Sequence, residues 1–208
     1  VSVGATDISG VINSEYRKRF PGGDHYDDSV GDDARAHAYF YPRVQYKVIR
    51  GGPIIAAVGE GCQLLWEIYR KLDELNDGQP HWKIVEKRLI DRKAKFGLTD
   101  RYVKYRFLTP WLALPEEVFR RFLQADDNGR QKMLSKALEG HFRSIAQSLN
   151  YSIEGEMHIK TNIKPKYIFQ KDIRVAGLFG SFIANFELPS FLGIGKSVSR
   201  GFGTVKQV

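Results

Sequence analysis

Cysteine is almost missing from this chain. Cys62 is the single one in 208 residues, which excludes an internal disulfide framework and a zinc site built on several thiolates. It opens an apolar helical pattern, so plain packing is expected of it. Long apolar runs are missing as well. The best stretch, Pro53 to Val58, is the length of a strand and far short of the about 20 residues that span a membrane. No signal-peptide pattern stands at Val1, and a cytoplasmic, reduced setting with no membrane partner is expected. Low-complexity tracts and short-period repeats are absent. No His/Asp/Glu spacing resembles a metal site and no Gly-x-Ser-x-Gly elbow occurs, so neither metal nor cofactor is expected. With 42% hydrophobic and 27% charged residues the composition is that of a globular protein.

What is present in excess is positive charge, and it is unevenly spread. The formal charge is +8 overall. Residues 1–80 carry 9 Lys/Arg against 12 Asp/Glu, whereas residues 81–208 carry 23 against 12. Such asymmetry points to a polyanion held mainly by the second part of the chain, with nucleic acid ahead of an anionic membrane surface.

Periodicity divides the chain into two successive α+β units. Ile8, Val11, Ile12, Tyr16 and Phe20 recur at helical spacing. A polar, acidic loop over residues 22–37 follows. Val44, Tyr46 and Val48 then alternate with Arg43, Gln45 and Lys47, the pattern of a half-buried strand. Gly51-Gly52 reads as a hairpin turn, Pro53–Val58 as the return strand. Gly61, Leu65, Ile68, Leu72 and Leu75 predict a helix ending near Asn76-Asp77-Gly78, and Trp82–Lys95 reads as a basic strand-like stretch.

The second unit opens with a β-rich stretch, Arg101–Trp111. Pro115 sits at the start of a short helix to about Leu123, and Asp126–Gly129 is a break. Leu134, Leu138, His141/Phe142, Ile145 and Leu149 mark a long amphipathic helix, followed by strands over Glu156–Phe169 and Asp172–Phe186 and a last short strand, Gly203–Val208. Each unit approximates β-α-β-β-α-β, the ferredoxin-like order. In the second, a glycine-rich segment occupies the place of the second helix. Two tandem ferredoxin-like (RRM-like) domains are expected, over residues 1–97 and 98–208.

The segment Gly193-Ile194-Gly195-Lys196-Ser197-Val198-Ser199-Arg200-Gly201-Phe202-Gly203 is the most informative. Glycines permit positive φ and close approach of backbone to a partner, and exposed N–H groups in such turns make anion-binding nests. With Lys196 and Arg200 added, phosphate or nucleic-acid backbone is the natural ligand. A Walker A loop is excluded by Ser190 at the position of its first glycine, and the dinucleotide fingerprint by Val198 at its third.

A Gly-hydrophobic-Gly pair, five residues with Lys or Arg, and a second such pair form the signature loop of the RAMP superfamily of CRISPR-associated proteins, which this chain resembles. Within it, the chain is similar to the endoribonuclease that cuts CRISPR precursor RNA at each repeat. The stretch Tyr41-Pro42-Arg43-Val44-Gln45-Tyr46-Lys47, with Pro53-Ile54-Ile55 and Gly59-Glu60-Gly61, resembles the N-terminal domain of one branch, so the resemblance touches both halves. It implies tandem ferredoxin-like domains, an antiviral-defence setting and metal-independent cleavage. The ribose 2′-OH attacks the adjacent phosphate, leaving a 2′,3′-cyclic phosphate and a 5′-OH.

That chemistry needs a base, an acid and positive charge at the phosphorane. Histidine suits the first two roles. Relatives often carry a catalytic His in the loop before the Tyr-Pro strand, which the resemblance maps to His25. Tyr26 beside it would orient the phosphate or the 2′-OH, and His37 is the alternative base. His81, His141 and His158 read as structural, His141 as a core or boundary residue of the long helix. Expected RNA contacts are Gly193, Gly195, Lys196, Ser197, Arg200, Gly201 and Gly203 in the loop and Lys160, Lys164 and Lys166 on a strand whose alternation puts charge on one sheet face. A second basic patch, Lys83–Arg106, holds 9 Lys/Arg and 3 Asp/Glu with Phe96, Tyr102 and Tyr105 interleaved. The partner implied is CRISPR repeat RNA, as precursor and mature guide, with other effector subunits and a homodimer as further possibilities. A non-catalytic RNA-binding subunit of a CRISPR effector complex shares the fold and the loop and stays open as the alternative. A generic tandem RRM-like binder is more remote.

Overall fold

The structure is a computed structural model that describes residues 41–75, 82–170 and 173–208. Two strands, β1 (Val44–Ile49) and β2 (Gly52–Ala57), form the expected hairpin, with Ile49 paired to Gly52. Its loop is Arg50-Gly51, one residue earlier than the glycine pair suggested. Both residues have positive φ, 53° and 80°, the type I′ conformation that matches the twist of the strands. Helix α1 (Gly61–Lys71) covers one face of the hairpin, burying Leu64 and Ile68 against Tyr46. Its first turn lies so close to the hairpin that a Cβ at Gly61 would stand 2.5 Å from Arg43 O.

Helix α1 stops at Lys71, short of the expected end, because Leu72 is already extended. Leu75 instead belongs to β3 (Glu74–Leu75), paired to β4 (Trp82–Lys83). Beyond β4, residues 84–96 form no strand, although Trp82–Lys95 reads as strand-like; Ile84-Val85 and Leu89-Ile90 fall in pairs, each followed by a charged triplet, which is not the period of a strand. Cys62 is exposed, not packed. It lies on the first turn of α1, outside the Gly61, Leu64, Ile68 stripe.

The second unit is a four-stranded antiparallel sheet in the order β6-β7-β5-β8, with β5 Gly97–Phe107, β6 Ile159–Gln170, β7 Ile173–Glu187 and β8 Val205–Gln207. Counting these strands from β5, the order is 2-3-1-4, that of a ferredoxin-like sheet. Alternation is visible in β5, where Val103, Tyr105 and Phe107 are buried and Tyr102, Lys104 and Arg106 exposed. Two helices cover the buried face, α2 (Glu116–Gln124) and α3 (Asp127–Ser148). The expected break between them is a single joint: Asp126 Oδ1 accepts the Gly129 N–H at 2.7 Å, an N-cap that lets α3 start at once. Arg130 closes the end of α2 by donating to Phe122 O at 3.1 Å and Leu123 O at 2.8 Å. A short 3-10 turn, Val198–Arg200, and the glycine-rich loop replace the second helix. The core between the layers is strongly aromatic: Phe142 stacks on Phe186 at 5.0 Å and Phe107 on Trp111 at 5.1 Å.

Candidate nucleic-acid interface

The glycine-rich loop folds back on itself and is largely buried. Gly193, Gly195, Gly201 and Gly203 all lie inside. Gly203 takes φ +63°, and a Cβ there would collide with Ile194 O; Gly195 takes φ +93°, and its Cβ would lie 2.7 Å from Trp111 Nε1. These positions need glycine because the chain passes against itself and against the core.

The expected anion nest does not form from these glycines, because their backbone donors are spent within the fold. Ile194 N–H donates to Gly203 O at 2.9 Å, Lys196 N–H to Leu112 O at 3.0 Å, Gly201 N–H to Val198 O at 3.1 Å and Gly203 N–H to Pro110 O at 2.7 Å. The side chains of Lys196 and Arg200 reach the surface. Arg200 Nη2 donates to Ser197 Oγ at 2.7 Å, and Ser197 caps the turn with a left-handed φ of 56°. Charge and the Ser197 hydroxyl, not a backbone nest, are what the loop presents.

The first glycine is held by the other half of the chain. Tyr41 Oη donates to Gly193 O at 2.7 Å, and Gly193 N–H donates to Gln45 Oε1 at 2.9 Å. Gln45 Oε1 also accepts from Lys47 Nζ at 2.7 Å. Beside them Arg43 donates to Ser148 O at the end of α3 and to Glu60 Oε1 at 3.2 Å. The polar face of β1 is therefore covered. Gln45 and Lys47 are 1% and 0% exposed, which corrects the reading of β1 as half-buried. Burial pulls the Lys47 ammonium down to about 7. Nothing in the sequence marks Gln45 as holding the loop beyond a polar amide inside the Tyr-Pro motif.

Under Lys196 lies His141. Its ring meets Trp111 edge-on at 5.8 Å, and neither His141 Nδ1 nor Trp111 Nε1 has a hydrogen-bond partner among the described residues. Burial, with a smaller contribution from Lys196, lowers the His141 imidazole to about 4, so it stays neutral near pH 7 and packs, as expected of a core or boundary histidine.

Lys160, Lys164 and Lys166 are exposed on alternate positions of β6. Lys166 Nζ lies 5.6 Å from the centre of the Phe179 ring. Tyr167 turns the other way, onto Phe119 of α2 at 6.4 Å. In the Lys83–Arg106 patch, Tyr105 is core, its Oη accepting from Leu188 N–H at 2.8 Å. Phe96 packs on Tyr151 and Phe186, and Lys87 is tied to Asp73 at 2.8 Å. Of its three named aromatics, Tyr102 alone is open, at 64%. His25, Tyr26, His37 and His81 lie outside the described residues. Among the described residues no three His, Cys, Asp or Glu side chains gather as a metal site would need, and no helix is long and apolar enough to cross a membrane.

Comparison with known proteins agrees across both halves. Residues 24–95 match the family described as the Cas6b N-terminal domain, and residues 97–208 the Cas6b C-terminal domain. A crystal structure of Cas6b superposes with a TM-score of 0.83 and 32% identity over 98% of this chain and 91% of that one. A second, described as the CRISPR RNA processing endoribonuclease Cas6b, gives 0.70 and 30% over 100% and 94%. An uncharacterized protein of Methanocaldococcus jannaschii is 31% identical over 143 residues, 68% of this chain and 97% of its own length.

Proposed function

The chain belongs to the Cas6b family, and from that premise we propose that it is an endoribonuclease that cuts CRISPR precursor RNA within its repeats. The observation that carries this reading is the whole-chain likeness, at 30% identity, to a solved CRISPR RNA processing endoribonuclease. The reaction is an internal transesterification. The ribose 2′-oxygen forms a bond to the neighbouring phosphorus as the bond to the 5′-oxygen breaks, giving 2′,3′-cyclic phosphate and 5′-OH ends. The nucleophile is part of the substrate, so the step needs no metal-activated water. It needs a base to take the 2′-proton and an acid to give one to the leaving oxygen.

His25 is assigned the base or acid role, Tyr26 orients the phosphate, and His37 is the second candidate base. Lys196, Ser197 and Arg200 hold RNA backbone at the loop surface, a reading supported by the exposure of Lys196 and Arg200, with Ser197 half-buried between them. The glycines at 193, 195, 201 and 203 serve by shaping that surface. Lys160, Lys164 and Lys166, exposed on β6, are a second set of RNA contacts. The domains meet near Phe96–Thr99.

The test is cleavage of labelled repeat RNA from the array of the source genome, in EDTA, by the protein and by a His25→Ala variant. One cut leaving a cyclic phosphate, lost in the variant, is the expected result. Cleavage that survives the substitution moves the base to His37. Tight, salt-sensitive binding with no cut replaces the enzyme with a non-catalytic subunit of an effector complex.

A further inference from the structure

Among the described residues, nothing covers the face of the C-terminal sheet that points away from α2 and α3, and that face is strongly basic. Strand register puts its residues into rows. Lys160 and Lys104 flank Ile183 in one row; Asn162, Ser181, Arg106 and Lys206 form the next; Lys164 pairs with Phe179 and Lys166 with Gly177 in the two beyond. Rows on one face recur about every 7 Å. Six cations from three strands thus share one surface, although in sequence they lie in three distant segments. Over these rows no Asp or Glu side chain stands on that face among the described residues, and none of the six is ion-paired with a described residue.

Arg106 and Lys206 are direct cross-strand partners. Like charges so placed destabilise a sheet, and an anionic ligand would offset that cost. Tyr102 precedes the core residue Val103 at the register shift of β5, is open to solvent at 64%, and lines one pocket with Lys160 and His158 as well as Glu139 of α3. An open ring on a basic sheet stacks on unpaired bases, which a duplex keeps in its interior. The loop cation Lys196 lies on the other side of the sheet, close enough to His141 of α3 to lower its pKa. One short stretch of RNA cannot occupy both surfaces.

We propose that this open face, through Lys104, Arg106, Lys206 and Tyr102 beside the β6 lysines, holds a single-stranded segment of the RNA other than the one gripped at Lys196 and Arg200. The inference rests on the RNA-processing reading above. It is tested with repeat RNA and the same RNA carrying a single-stranded extension of about eight nucleotides at either end. The readout is the ratio of the two affinities for the wild-type protein and for a Lys104→Ala/Arg106→Ala/Lys206→Ala variant. One extension is expected to tighten wild-type binding about tenfold, a gain well within what a few stacked bases supply. In the triple variant the ratio falls close to one, and the log–log salt slope for extended RNA shallows by about 2. Tyr102→Ala lowers the ratio without changing that slope. If the triple variant folds poorly, Lys206→Ala alone, which relieves the like-charge contact, gives a partial fall. The proposal is overturned if neither extension tightens wild-type binding, or if the triple variant keeps the full gain. Failure of the wild-type protein to bind the unextended repeat would instead sink the RNA-processing reading itself.

Discussion

The peptide N–H of Gly193 donates to the side-chain oxygen of Gln45 at 2.9 Å, across 148 residues of chain. The same oxygen accepts the Lys47 ammonium, so one amide satisfies two buried donors from the two halves of the molecule. Gln45→Leu leaves both without an acceptor. A buried donor without a partner costs about 1–3 kcal/mol, and denaturant unfolding should show a loss of at least that size. Gln45→Glu keeps the acceptor and adds a counter-charge for Lys47, so it should be far milder.

Lys47 makes stability depend on pH. Its folded pKa is about 7, against 10.5 for a free lysine. Between those values the unfolded chain holds more protons than the folded one, so stability rises with pH across the window, by up to a few kcal/mol. His141 acts in the same direction lower down, between its folded value of about 4 and the usual 6.5. Unfolding free energies measured from pH 4 to 10 should lose the upper slope in Lys47→Met and the lower one in His141→Gln. A Lys47→Met profile parallel to wild type above pH 7 would contradict the burial of this amine as a strained cation.

The loop separates shape from contact. Gly203→Ala drives a Cβ into Ile194 O in a left-handed backbone. It is expected to cost about 3 kcal/mol or more, of the order of other steric strain in a packed core, and to weaken RNA binding through misfolding of the loop. Lys196→Ala and Arg200→Ala should leave the melting temperature nearly unchanged while weakening RNA binding and reducing its salt dependence. Melting curves beside filter binding at two salt concentrations separate the two kinds of effect.

At the β1–β2 turn, Arg50 occupies a left-handed conformation, which costs a non-glycine residue about 1–2 kcal/mol. Arg50→Gly, and to a lesser degree Arg50→Asn, should stabilise the protein by about 1 kcal/mol in chemical unfolding.

Lys206→Glu turns a like-charge cross-strand pair with Arg106 into an opposite-charge one. The expected gain is about 0.2–1 kcal/mol, with weaker RNA binding. A variant that melts higher and binds RNA less well would identify the pair as kept for its ligand.

The sheet of the second unit was legible because its strands are long and alternate over part of their length, as in Val103, Tyr105 and Phe107, and its helices carry a clear apolar stripe. Pro115 marked a helix start for a stated physical reason, whereas Asp126–Gly129, read as a break, is the N-cap and first turn of α3; the glycine-rich segment in place of a helix is where the periodicity lapsed. What misled was polarity read as exposure. Gln45 and Lys47 alternate with Val44, Tyr46 and Val48 as a solvent face would, yet they are buried, because a polar face can dock on the polar backbone of a loop. The stretch 84–96 reads as strand-like from its mixture of basic and apolar residues, but strand pairing depends on a neighbour that sequence does not name. Glycine spacing predicted close approach correctly; that the approach is to Trp111, Ile194 and Gln45, not to phosphate, is a matter of burial. The loop with His25 and Tyr26 lies outside the described residues, so its assignment rests on resemblance.

The clasp on Gly193 also orders events in the life of the chain. Tyr41, Gln45 and Lys47 leave the ribosome long before residue 193, so the strand that needs the loop waits with a buried-type lysine still exposed and charged. A fragment starting at residue 97 would keep its sheet and its helices but lose both side chains that hold the Gly193 peptide. The shape of the glycine-rich loop is thus the joint property of both halves of the chain, and dividing the gene near residue 97 would separate a folded body from the side chains that hold its loop.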